Sequence, residues 1–488
     1  MTPARLVPAA AALFALGGIA AAAQFIAPAG SGAGRPAAPL RQVPVTAAVR
    51  ACPPSPGTRP GTVALIAAPP GTAAPASASG SGRAVLTPLP PAGTAPTAAS
   101  RPVTAAGPGT LSLLAAPVAA GTRDAAAPPG VAVSASGAMA RAMEAEQAEG
   151  PGLGSVRCGV PGSDTWFVGP GGQDGAARIR IVLMNVDALP ATVSVSVITD
   201  AGPAQADGLD GISVPPRRTV TESLSALAGG GSTVAAVEVR TSAGRVAADV
   251  LDGPARGGTP GWLPAAAAPS RTLVIPGVPP SGSAAGLFLV VPGDTAAQVS
   301  VLAITPRGPY RPFGPQPLDL PGQSASYVAL TPLGGVASAL ELTANVPVTA
   351  VAGVPGAFTA AAAPVSQQAV VAGNVSGFGL AADIVLSAPA AAARVRLTEI
   401  ASGTTAAAQV VPVGGGHTVA VPVAAPRGSR RGAPFAVVIT PLPGSGPVYA
   451  ARVETKGQGV VASIIPAASA PATIVLPPVR GSYDAVYP

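Results

Sequence analysis

Thr165-Trp-Phe-Val-Gly169, Thr272-Leu-Val-Ile-Pro276, Ala369-Val-Val-Ala-Gly373 and Thr473-Ile-Val-Leu-Pro477 are one short apolar strand written four times, each ended by Gly or Pro. Phe167, Val274, Val371 and Val475 recur at intervals of about one hundred residues, and a fixed period means an array of similar units. Each of the first three copies is followed by a strand, a turn and a strand. These run Ile181-Val-Leu-Met-Asn185 to Val193–Val197, Leu287-Phe-Leu-Val-Val291 to Val299–Ala303, and Ile384-Val-Leu386 to Val395-Arg-Leu397. Apolar residues alternate with polar ones in the second strands, which gives each of them one wet face.

A third marker, Ile212-Ser-Val-Pro215, Leu318-Asp-Leu-Pro321 and Val411-Pro-Val413, carries a proline that suits an edge strand, because proline cannot donate to a ladder. A last pair of strands closes each unit: Val237-Glu-Val239 with Arg245–Val250, Leu340-Glu-Leu342 with Val346–Val351, and Val437-Val-Ile439 with Val448–Val453. Units of this size, with alternating strands and few helices, predict an all-β fold of tandem antiparallel β-sandwich modules of immunoglobulin-like kind; a β-propeller is the alternative. The expected modules are 158–271, 272–368 and 369–488, with the strand at 473–477 capping the third.

The region 31–157 is rich in Ala, Pro, Gly and Ser and reads as an irregular, loosely packed β region, with short runs at Thr62–Ile66, Ala84–Leu86 and Thr110–Leu114. Good helix formers over Ala138–Glu149, stopped by Gly150, predict a short connecting helix. Before this region, Arg5 precedes an uncharged stretch from Leu6 to Ala27 that is long enough to cross a bilayer. Residues 1–30 are therefore expected to be a signal anchor or a cleaved signal peptide, which places the rest outside the cytoplasm: anchored to the cytoplasmic membrane by that helix, or secreted if it is cleaved. In an exported chain the only two cysteines, Cys52 and Cys158, are expected to form a disulfide.

The 488 residues include 61 Gly and 60 Pro, with 10% charged and 3% aromatic residues. The net charge of +7 is spread along the chain, and the densest basic group, Arg427, Arg430 and Arg431, sits in a Pro/Gly-flanked loop without interleaved aromatics, so no nucleic-acid partner is expected. His417 is the sole histidine, in Gly414-Gly-Gly-His-Thr418, which leaves no Ser–His–Asp arrangement or multi-histidine metal site. The glycine-rich runs lack the lysine and the strand-to-helix context of a phosphate loop. Asp249, Asp252 and Asp294 lie near strand ends and are the candidates for a carboxylate pair of the glycosidase type. Trp166 and Trp262, the only tryptophans, are candidates for stacking on a sugar, although Trp166 falls in a strand where an aromatic serves as core. No catalytic residue, metal or cofactor is expected.

Cys52-Pro-Pro, Ser134-Ala-Ser-Gly-Ala138, Glu146-Gln147, Cys158 and Thr165-Trp-Phe-Val-Gly169, behind an N-terminal anchor, resemble the actinobacterial domain-of-unknown-function 5719 family over nearly the whole chain. The repeat is also similar to an extracytoplasmic sandwich pattern in which a strand ends in Asn-Pro and a later Pro-Val opens the last strand. Asn185, Pro292 and Pro347-Val348 match it, whereas Val186 departs from it and the third unit lacks both residues. The resemblance implies no catalytic residues. Together these readings predict a non-catalytic, extracytoplasmic cell-envelope protein, a β-repeat scaffold or spacer that binds a protein or glycan partner; the alternative is an envelope carbohydrate-binding or glycan-processing protein.

Overall fold

The computed structural model describes residues 41–55, 61–67, 82–94, 101–103, 108–115, 129–148, 154–171, 179–204, 208–224, 232, 234–253, 261–280, 285–330, 333, 335–402, 406–457 and 460–476. The expected helix within residues 1–30 lies outside them. No helix among the described residues is long and apolar enough to cross a membrane.

The fold is all-β, with antiparallel sheets. Strand β1 (Arg41–Pro44) belongs to a separate two-stranded ribbon described below. The described residues of the Ala/Pro/Gly-rich region contribute β2 (Ala47–Cys52), β3 (Thr62–Ala67), β4 (Gly82–Leu89), β5 (Arg101–Val103), β6 (Ser112–Ala115), β7 (Gly130–Gly137), β8 (Met143–Ala148) and β9 (Ser155–Arg157). These eight form two four-stranded sheets, β2-β7-β4-β5 and β6-β3-β8-β9. With the strands lettered a to h in chain order, the sheets are a-f-c-d and e-b-g-h.

The same order recurs three times. Module 1 uses β10 (Asp164–Pro170), β11 (Arg180–Met184), β12 (Ala191–Thr199), β13 (Gly202–Ala204), β14 (Ile212–Val214), β15 (Thr219–Ser223), β16 (Val234–Ala243), β17 (Ala247–Asp252) and β18 (Gly261–Leu263). Module 2 uses β19 (Ser270–Val278), β20 (Gly286–Val291), β21 (Ala297–Thr305), β22 (Gly308–Tyr310), β23 (Leu318–Leu320), β24 (Ser324–Ala329), β25 (Ser338–Val354) and β26 (Ala357–Ala360). Module 3 uses β27 (Ala369–Asn374), β28 (Leu380–Ala388), β29 (Ala393–Ala401), β30 (Ala407–Val413), β31 (His417–Val423), β32 (Phe435–Pro441), β33 (Tyr449–Lys456) and β34 (Val460–Pro466). In every unit a-f-c-d and e-b-g-h are the two sheets, with the short β14 and β23 added beside strand c. Outside the c–d and g–h hairpins, neighbours in these sheets are not neighbours in sequence, unlike the consecutive strands of a propeller blade.

The two sheets of a unit share one hydrophobic cluster, an arrangement consistent with a β-sandwich. In module 3, Ile384 and Leu386 of strand b meet Val395 and Leu397 of strand c and Val437 and Ile439 of strand f. Alternation produces this directly, since every second residue of each strand faces inward. In module 2 the residues of strands f and g are one continuous strand: β25 pairs with β21 up to Ala344 and with β19 up to Thr343 and again at Val348, then with β20 and β26 from Thr349 onward. Pro347 lies where this strand changes sheets, so its missing N–H costs little there. The c–d hairpins repeat in detail as well. Thr199 and Thr305 each accept a bond from the backbone N–H two residues on and donate to the carbonyl of Gly202 or Gly308. Both glycines have φ +107°, which a side chain would resist.

The expected helix over Ala138–Glu149 is not formed. Ala138–Ala140 make a single 3-10 turn, Ala142 takes a positive φ of 48°, and Met143–Ala148 is strand β8. Met143 and Ala145 enter the core of the N-terminal unit, while Glu144 and Glu146 on the opposite face find arginines. Propensity is a weak prior, and tertiary pairing with β3 overrides it.

The units also pack on one another by their outer faces. Phe288, Val290 and Val351 of the module 2 e-b-g-h sheet join Trp166, Val168 and Ala236 of the module 1 a-f-c-d sheet in one cluster. Val385, Ala451 and Val453 of module 3 pack on module 2 in the same way, and Val182, Met184 and Ala247 of module 1 pack on Ala51, Leu89 and Ala132 of the N-terminal unit. The series then closes: Ala64 and Ile66 of the N-terminal unit pack on Val370, Ala372, Ala436 and Val438 of module 3. Four units thus form a closed ring, and Val45, just before the N-terminal unit, donates to the carbonyl of Ala472, just after module 3. Separately, β35 (Thr473–Leu476) pairs with β1 in a two-stranded ribbon.

Candidate functional site

Strand h spans only Ser155–Arg157 in the N-terminal unit and Gly261–Leu263 in module 1, and the chain running from strand h to the next unit lines a cavity of about 370 Å³ where all four units meet. Ser155, Arg157 and Val160 come from the N-terminal side, Asp249, Trp262 and Ala266 from module 1, Ala361 and Ala363 from the end of module 2, and Ile464 and Ala468 from module 3. Much of the wall is alanine, which leaves space because each residue presents only a methyl group.

Two sets of polar groups border this cavity, at Arg157 and at Asp249, and a third lies in the seam beside it and touches it through Ser155. Cys52, at the end of β2, and Cys158, just beyond β9, form a disulfide with Cα atoms 4.3 Å apart, and both are buried. The bond joins strand a to the end of strand h across the two sheets of the N-terminal unit. Arg157 grips Glu144 with two donors, and Arg50 lies 3.8 Å from the same carboxylate.

The seam between the N-terminal unit and module 3 holds a second charged group. Arg452 is fully buried and pairs with Glu146. It also donates to the Gly373 carbonyl at 3.1 Å, to Ser155 Oγ at 2.7 Å and to Ser463 Oγ at 3.2 Å. Glu146 accepts in turn from the Gly373 N–H at 3.1 Å. Burial works against the Arg452 charge, but Glu146 and Glu454 hold its pKa above the ordinary value. Glu454 itself is pushed up by burial, against the attraction of Arg452. A side chain at Gly373 would place its Cβ 2.9 Å from Glu146 Oε1, so glycine is the residue that lets this seam close.

Asp249 is the third polar feature, and it is isolated. It is 4% exposed, and its Oδ2 is buried with no hydrogen-bond partner among the described residues. Burial alone pushes its pKa well above the carboxylate range. Asp252, three residues along β17, is raised to about 6 by burial and does not line the cavity. Asp294 sits in the b–c turn of module 2, exposed, beside Thr295. The three candidate carboxylates are therefore not brought to one cleft. No group of three or more His, Cys, Asp or Glu positioned to hold a metal occurs among the described residues.

The tryptophans separate too. Trp166 is buried in the module 1–module 2 cluster, whereas Trp262 is half-buried and shares the cavity with Asp249. The His417 ring bonds the Gly415 carbonyl at 2.7 Å within its own turn. Arg427, Arg430 and Arg431 are exposed, with Arg431 stacked 4.9 Å over Phe378. Sequence reading missed Glu146 and Arg452 as a pair. Arg452 was visible only as part of a strand and Glu146 only as part of an expected helix, and nothing in spacing brings together residues 306 apart.

Buried carboxylates set the pH response. A carboxyl whose folded pKa lies above its unfolded value stabilises the fold at low pH, and that contribution is lost as pH rises through the folded value. Asp249, Asp252, Asp383 and Glu399 all shift upward through burial, while Asp187, held by its bond to Arg245, shifts downward. The protein should therefore lose stability as pH rises from about 4 through about 6, where Asp252 ionises, and further above that as the more strongly shifted Asp249 does. Asp249→Leu combined with Asp252→Asn should flatten that slope and raise the urea midpoint at pH 8, by about 1–3 kcal/mol for the buried unpaired group. An unchanged slope in the double variant would contradict the assignment.

The molecule is an all-β repeat protein whose antiparallel sheets close around a shared cavity. Residues 114–424 match the model of a family of unknown function, DUF5719, and the chain belongs to that family. The match begins within β6 and ends just beyond β31, so it spans modules 1 and 2 and parts of the units that flank them. Neither a curated protein nor a solved structure matches the chain.

Proposed function

We propose that this chain is a non-catalytic, extracytoplasmic cell-envelope protein whose β-repeat units, read as immunoglobulin-like sandwiches, serve as a rigid scaffold for a protein or glycan partner. The reading includes attachment to the cytoplasmic membrane through the N-terminal apolar segment, or secretion if that segment is cleaved. The observation that carries it is the buried Cys52–Cys158 disulfide in a chain whose only two cysteines are thereby consumed. Such bonds persist in oxidising compartments and are rare in the cytosol. The closed ring adds support, since a repeat array joined end to end has no free terminal unit to fray and suits a spacer that must keep its shape.

An alkaline phosphatase fusion after residue 476, active only when exported, tests the compartment in the native cells. Activity in the envelope or medium, together with cysteines that resist alkylation until reduced, is the expected result. An inactive fusion with freely alkylated thiols would overturn the envelope reading. The glycan-binding alternative draws on one specific observation, Trp262 beside Asp249 in the cavity. Retention on immobilised envelope polysaccharide that disappears on Trp262→Ala would favour it over the scaffold.

A further inference from the structure

Asp249 occupies the place in strand g that Glu146 occupies in the N-terminal unit. Glu146 is paired with Ala64 and Asp249 with Val182, and in each case the next residue of strand b, Leu65 or Leu183, faces the core of its own unit. Both acids therefore lie on the outer face of an e-b-g-h sheet, turned toward the preceding unit in the ring. Glu146 meets Arg452 and a backbone N–H there. Asp249 meets neither a cation nor a donor among the described residues, and its Oδ2 is cut off from solvent. At the equivalent position module 2 has Val351 and module 3 has Ala451, so the architecture itself has no need of an acid.

A buried carboxylate without a partner costs the fold several times what an apolar residue would at the same place. Its missing partner has an obvious place to sit, because Asp249 lines the central cavity. That cavity has the size and the mostly apolar walls of a small-molecule pocket, with few polar groups to orient an occupant. The other charge on its wall, Arg157, has two of its donors committed to Glu144. Trp262 supplies an aromatic surface, and aromatic faces attract cations.

We propose that the central cavity binds a small organic amine, whose ammonium donates to Asp249 while its apolar body lies against Trp262 and the alanine-rich wall. The site is assembled only in the closed ring, since its walls come from all four units. It does not depend on the envelope reading above, and the two fail separately: an exported protein can lack the pocket, and a cytosolic one can have it.

Isothermal titration of the full chain with 2-phenylethylamine, 2-phenylethanol and 3-phenylpropionate tests the proposal at neutral pH. The amine should bind at least about tenfold more tightly than the alcohol, the scale expected of one charge-assisted hydrogen bond, and the carboxylate should not bind. Asp249→Asn should abolish the preference for the amine without unfolding the protein, because it keeps the shape and removes the buried charge. Ala363→Trp, at an exposed alanine of the cavity wall, should block the amine and the alcohol alike. No binding of the amine by the wild-type chain overturns the proposal, and so does an amine preference that survives in Asp249→Asn.

Discussion

Arg452→Met is expected to destabilise the protein by about 3–5 kcal/mol, the range for removing one partner of a buried ion pair. The guanidinium is fully buried and meets groups from three places: Glu146 and Ser155 of the N-terminal unit, Gly373 at the end of β27, and Ser463 of β34. Its loss would leave Glu146 and Glu454 buried with their main counter-charge gone. The double variant Arg452→Met, Glu146→Leu should recover a large part of the loss, because two apolar groups in the place of a buried pair are often neutral. Urea denaturation gives the energies, and amide exchange should locate the loosening at β8, β27 and β33, which form the seam. Equal destabilisation by the single and double variants would show that the pair is not the clasp.

Removing the Cys52–Cys158 bond, by reductant or by the double alanine variant, is expected to cost about 4–5 kcal/mol in the chain-entropy model for a loop of roughly one hundred residues. The two cysteines are 106 positions apart, and their loop encloses nearly the whole N-terminal unit. This unit has the greatest need of a cross-link. Its core cluster relies on small residues such as Ala67, Ala84, Ala135 and Ala145, which bury little area each. Unfolding should therefore split into two transitions after reduction, with the N-terminal unit melting first. Because that unit completes the ring, its melting would also open the seam with module 3 and the central cavity, so amine binding should fall with it. A midpoint insensitive to reductant would mean that the ring contacts alone hold the unit.

These two expectations differ in what could be read from the chain. Two cysteines in a chain read as exported already suggest a bond, and the structure closes it. The Arg452–Glu146 pair had no such signal. Arg452 falls in an alternating strand where the inward position is normally apolar, and Glu146 falls in a segment whose composition favours a helix. Each breaks a local rule, and each is explained only by the other.

The sequence by itself determined the all-β class, the strands and turns of modules 1 to 3 and the pairing of the cysteines. Those features are local or depend on counting: alternation, turn residues and a period survive whatever the units do to one another. Tertiary structure alone decided that the alanine-rich N-terminal region is a fourth unit of the same strand order. Its apolar alternation is made mostly of alanine, too weak a contrast to stand out from its loops. Tertiary structure also decided that Met143–Ala148 is a strand, that the strand at 473–476 pairs with β1, and that Asp249 and Trp262 share a cavity while Asp252, Asp294 and Trp166 do not. The h strands of the N-terminal unit and module 1, Ser155–Arg157 and Gly261–Leu263, have too few residues to show a period, and the closure that encloses the cavity depends on contacts about three hundred residues apart. Such contacts have no signature in the order of residues, because they follow from how whole sheets stack.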